Sequence, residues 1–211
     1  MHLTARPSVL LAFPALVASL AGQGRPTRHG LWFDLGVGNG WTRSSCDACS
    51  SGPLLSDGGF FLALGGTPTP HFRVGCTLEA WFRSLTADTT ALLGLSTVSL
   101  DYYPRAHGGL YVVGEVGFAN AEVGIFGRPN GDHVIADSGV AGGLGWGLTA
   151  GVGYEMSLSQ TFLLTPRVAY AYAAVPGIWK QDGSVLRTGW KEGVLSLALG
   201  LRFQERRRVP S

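Results

Sequence analysis

The sequence predicts an all-β fold in which eight antiparallel strands close up-and-down into a barrel. Three observations carry this expectation. Apolar side chains alternate at period two in eight separate stretches, the period that puts successive side chains on opposite faces of a strand. The connections between those stretches are short and long in turn. The composition suits an amphipathic sheet: of 211 residues, 45% are hydrophobic, only 14% are charged and 32 are glycine, with a net charge of +2. A disordered chain would be polar and highly charged, and so small a net charge gives no reason to expect a nucleic-acid partner.

Residues 1–21 read as a signal peptide. Arg6 precedes the apolar run VLLAFPALVASLA, which ends in small residues at Ser19 and Ala21, a pattern suited to cleavage before Gly22. That run is too short to span a bilayer as a helix. The barrel domain is expected over 22–204, and 205–211 form a short basic tail that a solvated end explains.

The strands follow in order. In 31–41, Phe33, Leu35 and Val37 oppose Asp34, Gly36 and Gly38; in 59–65, Phe60, Leu62 and Leu64 oppose Phe61, Ala63 and Gly65. In 71–84 (HFRVGCTLEAWFRS), Phe72, Val74, Cys76, Leu78 and Phe82 oppose Arg73, Thr77, Glu79, Trp81 and Arg83. The fourth, 95–103, sets Val98, Leu100 and Tyr102 against Thr97, Ser99 and Asp101; Leu93 and Leu95 break its parity, which predicts a bulge or a late start. In 110–118, Val112, Val116 and Phe118 oppose Glu115, and in 144–157, Trp146, Leu148, Val152 and Tyr154 oppose Thr149 and Glu155. In 162–172, Leu164, Val168 and Tyr170 oppose Thr165 and Arg167. The last, 192–203, sets Leu195, Leu197, Leu199, Leu201 and Phe203 against Glu192, Ser196, Gly200 and Arg202. Short turns fall after the second, fourth and sixth strands. The segments 42–58, 119–143 and 173–191 read as long connections, with a modest one at 84–90.

Cys46 and Cys49 lie in the small-residue loop SSCDACSSG. They read as a disulfide staple in an oxidising compartment or as two free thiols. The βαβ setting of a redox motif, the further ligands of a zinc site and the His of a haem attachment are all missing. No cofactor or metal is expected.

Parity alone leaves open which face is wet. A soluble lipocalin-like barrel is apolar inside, and a membrane barrel is apolar outside. The polar face favours the second, because it is built of Gly, Ala, Ser and Thr with ions of both signs and no Lys: Asp34, Glu79, Asp101, Glu115, Glu155 and Glu192 against Arg73, Arg83, Arg167 and Arg202. Small residues with a few paired Arg fit an eight-stranded lumen, which side chains fill. Aromatics also bracket the apolar face. Phe33, Phe72, Tyr102, Tyr154, Phe162 and Phe203 fall near the short turns, and Trp41, Phe60, Phe82, Phe118, Trp146 and Tyr170 near the long connections. Two such girdles around an aliphatic band are what a bilayer selects. The lumen ions and girdle aromatics are the candidate site residues, and the barrel is expected to be transmembrane.

These eight alternating strands over 30–204, the alternation of connections and a last strand LSLALGLRF ending in an aromatic resemble the small eight-stranded outer-membrane barrels of diderm bacteria, the OmpA/OmpX-type family. The resemblance implies a bacterial outer-membrane location and contact with outer-membrane lipid and lipopolysaccharide. It also implies recognition by the barrel-assembly machinery through the terminal aromatic, although QERRRVPS follows Phe203 here. A monomer is expected. The implied role is non-enzymatic, acting through structure or the outer loops. Two alternatives stay open. Trp32, Phe61, Trp81 and Tyr111 point inward by parity and would line a pocket for uptake of a small apolar ligand. A lipid-A-modifying enzyme would need His133, near Asp132, Asp137 and Ser138, as its catalytic set; His29, His71 and His107 lie near the start or in short turns.

Overall fold

The computed structural model describes residues 28–49, 54–85, 90–124 and 141–205. The expected signal peptide, the basic tail beyond Glu205 and the His133 group lie outside them. The described residues hold no helix. The strands are β1 (Gly30–Ser45), β2 (Leu55–Thr69), β3 (Phe72–Ser84), β4 (Thr90–Tyr102), β5 (Leu110–Gly124), β6 (Ala141–Tyr154), β7 (Met156–Ser157), β8 (Phe162–Lys180) and β9 (Val185–Gln204). The two-residue β7 continues β6 past an interruption at Glu155, pairing Met156 with Leu164 on β8. There are therefore eight staves. Sequence neighbours pair antiparallel, β6 pairs with β8 across β7, and β1 pairs with β9, which closes the sheet. Closure leaves no free edge, so strand backbone groups pair within the wall, as a hydrocarbon environment requires.

Register keeps each apolar row on one side. Phe33 faces Leu64, Leu35 faces Leu62 and Val37 faces Phe60. The rows point outward: Val37, Val116, Leu144 and Phe118 are 66%, 64%, 71% and 75% exposed, while Asp34 and Arg73 are 1% and 0% exposed. This is the reverse of a soluble lipocalin-like arrangement.

Three expectations are corrected. β4 has neither bulge nor late start, since Leu93 pairs with Trp81 and Leu95 with Glu79 in unbroken register. Both leucines point inward and are buried. Parity holds throughout; it is the inward face that turns apolar toward the long-connection end. The segment 173–191 is not a long loop either. β8 runs on to Lys180, and β9 starts at Val185 after a tight turn in which Gly183 takes a φ of 79°. This ribbon is held by its inward Val175, Ile178 and Trp190, which pack into a buried cluster with Trp81, Leu93 and Ala121. The connections expected at 42–58 and 119–143 are also shorter, because β1 and β2 reach Ser45 and Leu55, and β5 and β6 reach Gly124 and Ala141.

Candidate functional site

The lumen is a stack of layers from the short-turn end, the floor, to the opposite end, the mouth. At the floor, Glu155 sits just beyond the girdle residue Tyr154 and gathers cations from distant elements. Arg28 Nε lies 3.0 Å from its Oε2 and Arg202 Nη1 2.7 Å from its Oε1, with Arg73 Nη1 also on Oε1. The Tyr103 hydroxyl donates to Oε1 at 2.8 Å and accepts from Arg73 and Arg202 at 2.7 Å each. Arg202 Nε donates to Asp34 Oδ2 at 2.8 Å, and its Nη1 lies 3.4 Å from Asp101. Arg28 also donates to the carbonyls of Ala106 and Gly108, tying the chain before β1 to the β4–β5 turn. Three guanidiniums thus meet three carboxylates, the balance that buried charges need. Burial by itself would push the Glu155 carboxyl up, but Arg73, Arg202 and Arg28 outweigh it, helped by the Tyr103 hydroxyl, and hold it down at about 2.

Aromatic rings fill the space between these ions. The Arg28 guanidinium stacks 3.7 Å from the Tyr103 ring centre, and that of Arg202 lies 5.0 Å from Trp32 and 5.2 Å from Tyr111. Gly200 completes the floor, because a Cβ there would strike Thr165 Oγ1 and Asp34 Oδ1.

The middle layer is centred on Arg167, whose Nη2 lies 2.9 Å from both Glu79 and Glu115. The Thr149 and Thr97 hydroxyls donate to the other oxygens of these carboxylates, at 3.2 and 3.0 Å. Above it lies an apolar layer that includes Trp81, Leu93, Leu95, Ala119, Ala173 and Val194. At the mouth, Arg83 lies 3.9 Å from Asp57 and 3.6 Å from Glu192. A cavity of about 250 Å³ sits there, above the apolar layer.

All ten expected lumen ions point inward, nine of them buried and Arg83 half-buried. The expected single network is instead three clusters: no ion pair joins the floor group to the Arg167 group, and the apolar layer divides the mouth group from both. The four residues of the expected pocket lining do not share one cavity: Trp32 and Tyr111 belong to the floor, Phe61 and Trp81 together line only a small cavity of about 20 Å³ beside Arg167, and of the four only Trp81 lines the mouth cavity. Arg28, Asp57 and Tyr103 also belong to these clusters, and sequence reasoning missed them. Parity offered a signal for two of them, since Asp57 is in phase with Phe61 and Tyr103 follows outward Tyr102; Arg28 precedes the strand and carries none.

The expected girdle aromatics face outward, most of them well exposed and Tyr154 half-buried. Phe72 packs on Tyr102 at 5.2 Å and Phe162 on Phe203 at 5.8 Å toward the floor. Phe60 packs on Phe82 at 5.9 Å toward the mouth, where Trp146 also meets Tyr172, an unexpected member, at 5.7 Å. Trp41, Phe33, Phe118 and Tyr170 complete the two belts. Cys46 and Cys49 are joined as a disulfide in a loop that docks on β9: Asp47 N donates to Thr188 O at 3.2 Å, and Gly189, at a φ of 58°, leaves room for the Asp47 carboxylate. Among the described residues no group of three or more His, Cys, Asp or Glu is placed to hold a metal ion.

No family model and no curated protein matches the chain. Solved structures do. Neisserial surface protein A is 14% identical over 82% of this chain and 97% of its own, with a TM-score of 0.51. Ail, the attachment invasion locus protein of Yersinia pestis, is 16% identical over 82% and 99%, at 0.49. The N-terminal β-barrel domain of Pseudomonas aeruginosa OprF is 13% identical over 86% and 100%, at 0.42. At these identities the likeness is one of fold.

Proposed function

We propose that this chain, which has the fold of the small eight-stranded outer-membrane barrels of the OmpA/OmpX type, is a non-enzymatic integral protein of the bacterial outer membrane with a lumen closed by its own side chains. The observation that carries this reading is the inverted polarity: aliphatic side chains exposed between two aromatic belts, and paired ions buried within. An apolar belt of that extent has no place in water, and buried Arg–carboxylate clusters have no place on a lipid-facing wall. Outer-membrane lipid and lipopolysaccharide are the partners along the wall, where outward Arg43 and Lys191 stand beside Trp41, Tyr170 and Tyr172 at the mouth rim. The barrel-assembly machinery is the partner in biogenesis, and the outer connections carry any further contact.

The test is fractionation of the full chain expressed in a diderm bacterium, followed by gel migration with and without heating. The chain is expected in the outer membrane with a heat-dependent mobility shift. Recovery as a soluble protein, or large stable conductance in planar bilayers, would overturn the reading.

A further inference from the structure

We propose that the mouth cavity is a binding site for a small organic cation with an apolar body, such as an arylalkylammonium. The inference goes beyond the closed-barrel reading and adds a ligand to it. At about 30 Å³ per water, the cavity of about 250 Å³ has room for roughly eight water-sized groups. Trp81, Trp190, Leu93 and Ile178 give it apolar walls, and the apolar layer seals it from the rest of the lumen, so a ligand is held rather than conducted.

The polar groups set the sign of the ligand. Asp57 and Glu192 are 2% and 3% exposed, and both line the cavity. One guanidinium, Arg83, stands between them at 3.9 and 3.6 Å, too far for a hydrogen bond to either. The Thr42 hydroxyl donates to Asp57 Oδ2, and Asp57 Oδ1 and Arg83 Nε are buried without partners. Farther out, Glu122 and Arg187 offset one another in charge. The lining therefore carries three carboxylates and two guanidiniums, and an unsatisfied buried carboxylate oxygen is costly. An ammonium group supplies the charge that the lining lacks. Tryptophan is the best ring for holding a cation against its face, and two of them wall the cavity. A neutral ligand would leave the carboxylate excess uncompensated, and an anion would add to it.

The test uses the full-length barrel refolded in phosphocholine vesicles, titrated with benzylammonium, benzyl alcohol and benzoate and read by intrinsic tryptophan fluorescence and saturation-transfer NMR. Saturable binding of benzylammonium is expected, at least tenfold tighter than either control. Asp57→Asn should weaken it about tenfold while keeping the heat-dependent gel shift, and Trp190→Leu should weaken it without restoring affinity for benzoate. Absence of saturable binding, equal affinity for benzyl alcohol, or unchanged affinity in a folded Asp57→Asn barrel would each overturn the proposal. If Asp57→Asn does not fold, Glu192→Gln and the charge preference of the wild-type barrel decide it. A barrel that inserts and stays closed without binding defeats this inference alone; a chain that never enters the membrane defeats the functional reading.

Discussion

Replacing Glu155 by Gln should be among the most damaging single changes in the barrel. The side chain keeps its shape but loses the charge that three guanidiniums share, Arg28, Arg73 and Arg202. The floor then holds three cations against Asp34 and Asp101. Removing one partner of a buried ion pair costs about 3–5 kcal/mol. A second route gives a similar size: holding the carboxyl at about 2 rather than 4.5 corresponds, at 1.36 kcal/mol per unit, to about 3 kcal/mol. The sign follows from the depressed value. Glu155 contributes fully above its unfolded value near 4.5, and the contribution fades as pH falls toward 2. Urea unfolding in lipid vesicles, followed by the heat-dependent gel shift, should show a gap between wild type and Glu155→Gln of about 3–5 kcal/mol at pH 7, narrowing to roughly half by pH 3. Adding Arg28→Met restores the charge balance, so the double variant should be more stable than the two single costs imply. A gap below about 1 kcal/mol at pH 7, or one that does not change with pH, would refute the account of the floor.

Other measurements probe the remaining layers. Arg167→Met leaves Glu79 and Glu115 facing each other and should cost about 3–5 kcal/mol, most of it recovered when both become Gln; no recovery would mean that packing, not charge, is at stake. Gly200→Ala should destabilise by about 1–3 kcal/mol in the same urea assay, because its methyl group meets Asp34 and Thr165; a neutral result would refute the tight floor. A fluorophore on Cys76, the one cysteine outside the disulfide, should be quenched by nitroxide lipids and not by aqueous iodide, and the opposite pattern would reverse the assignment of faces. Cys46→Ser with Cys49→Ser opens only a short ring, so the loss should be no more than about 2 kcal/mol with the heat-dependent gel shift intact; failure to fold would show that the loop supports the wall.

The wall was largely legible in the sequence because period-two alternation is a local property. Phe72 to Phe82 states its two faces without reference to any other strand. The inward position of every lumen ion follows from the same parity. Their grouping does not, because it depends on the stagger of strands around the barrel, which brings Arg202 to Asp34 and Glu155 but leaves Arg83 apart with Asp57 and Glu192. Leu93 and Leu95 look like a break in parity only if an inward face must be polar along its whole length. A lumen sealed from water has no such requirement, and inward leucines pack there against Trp81 and Ala119. The ribbon from Val175 to Trp190 was unreadable for a related reason: its strand character comes from packing over the mouth, while its tip, Gln181 to Ser184, is polar and turn-like.

The floor also bears on the order of assembly. Arg28 and Glu155 are 127 residues apart, Arg73 and Glu155 are 82 apart, and Asp34 and Arg202 are 168 apart. None of these bonds lies within a hairpin, so none can form while hairpins zip up one after another. Contacts of such sequence separation form late. Until β1 meets β9, each of these ions must stay hydrated, and an open sheet carries a column of water along what will become its interior. Seam closure and expulsion of that water are therefore one event, and a partly closed sheet keeps its charges in water until the seam pairs them.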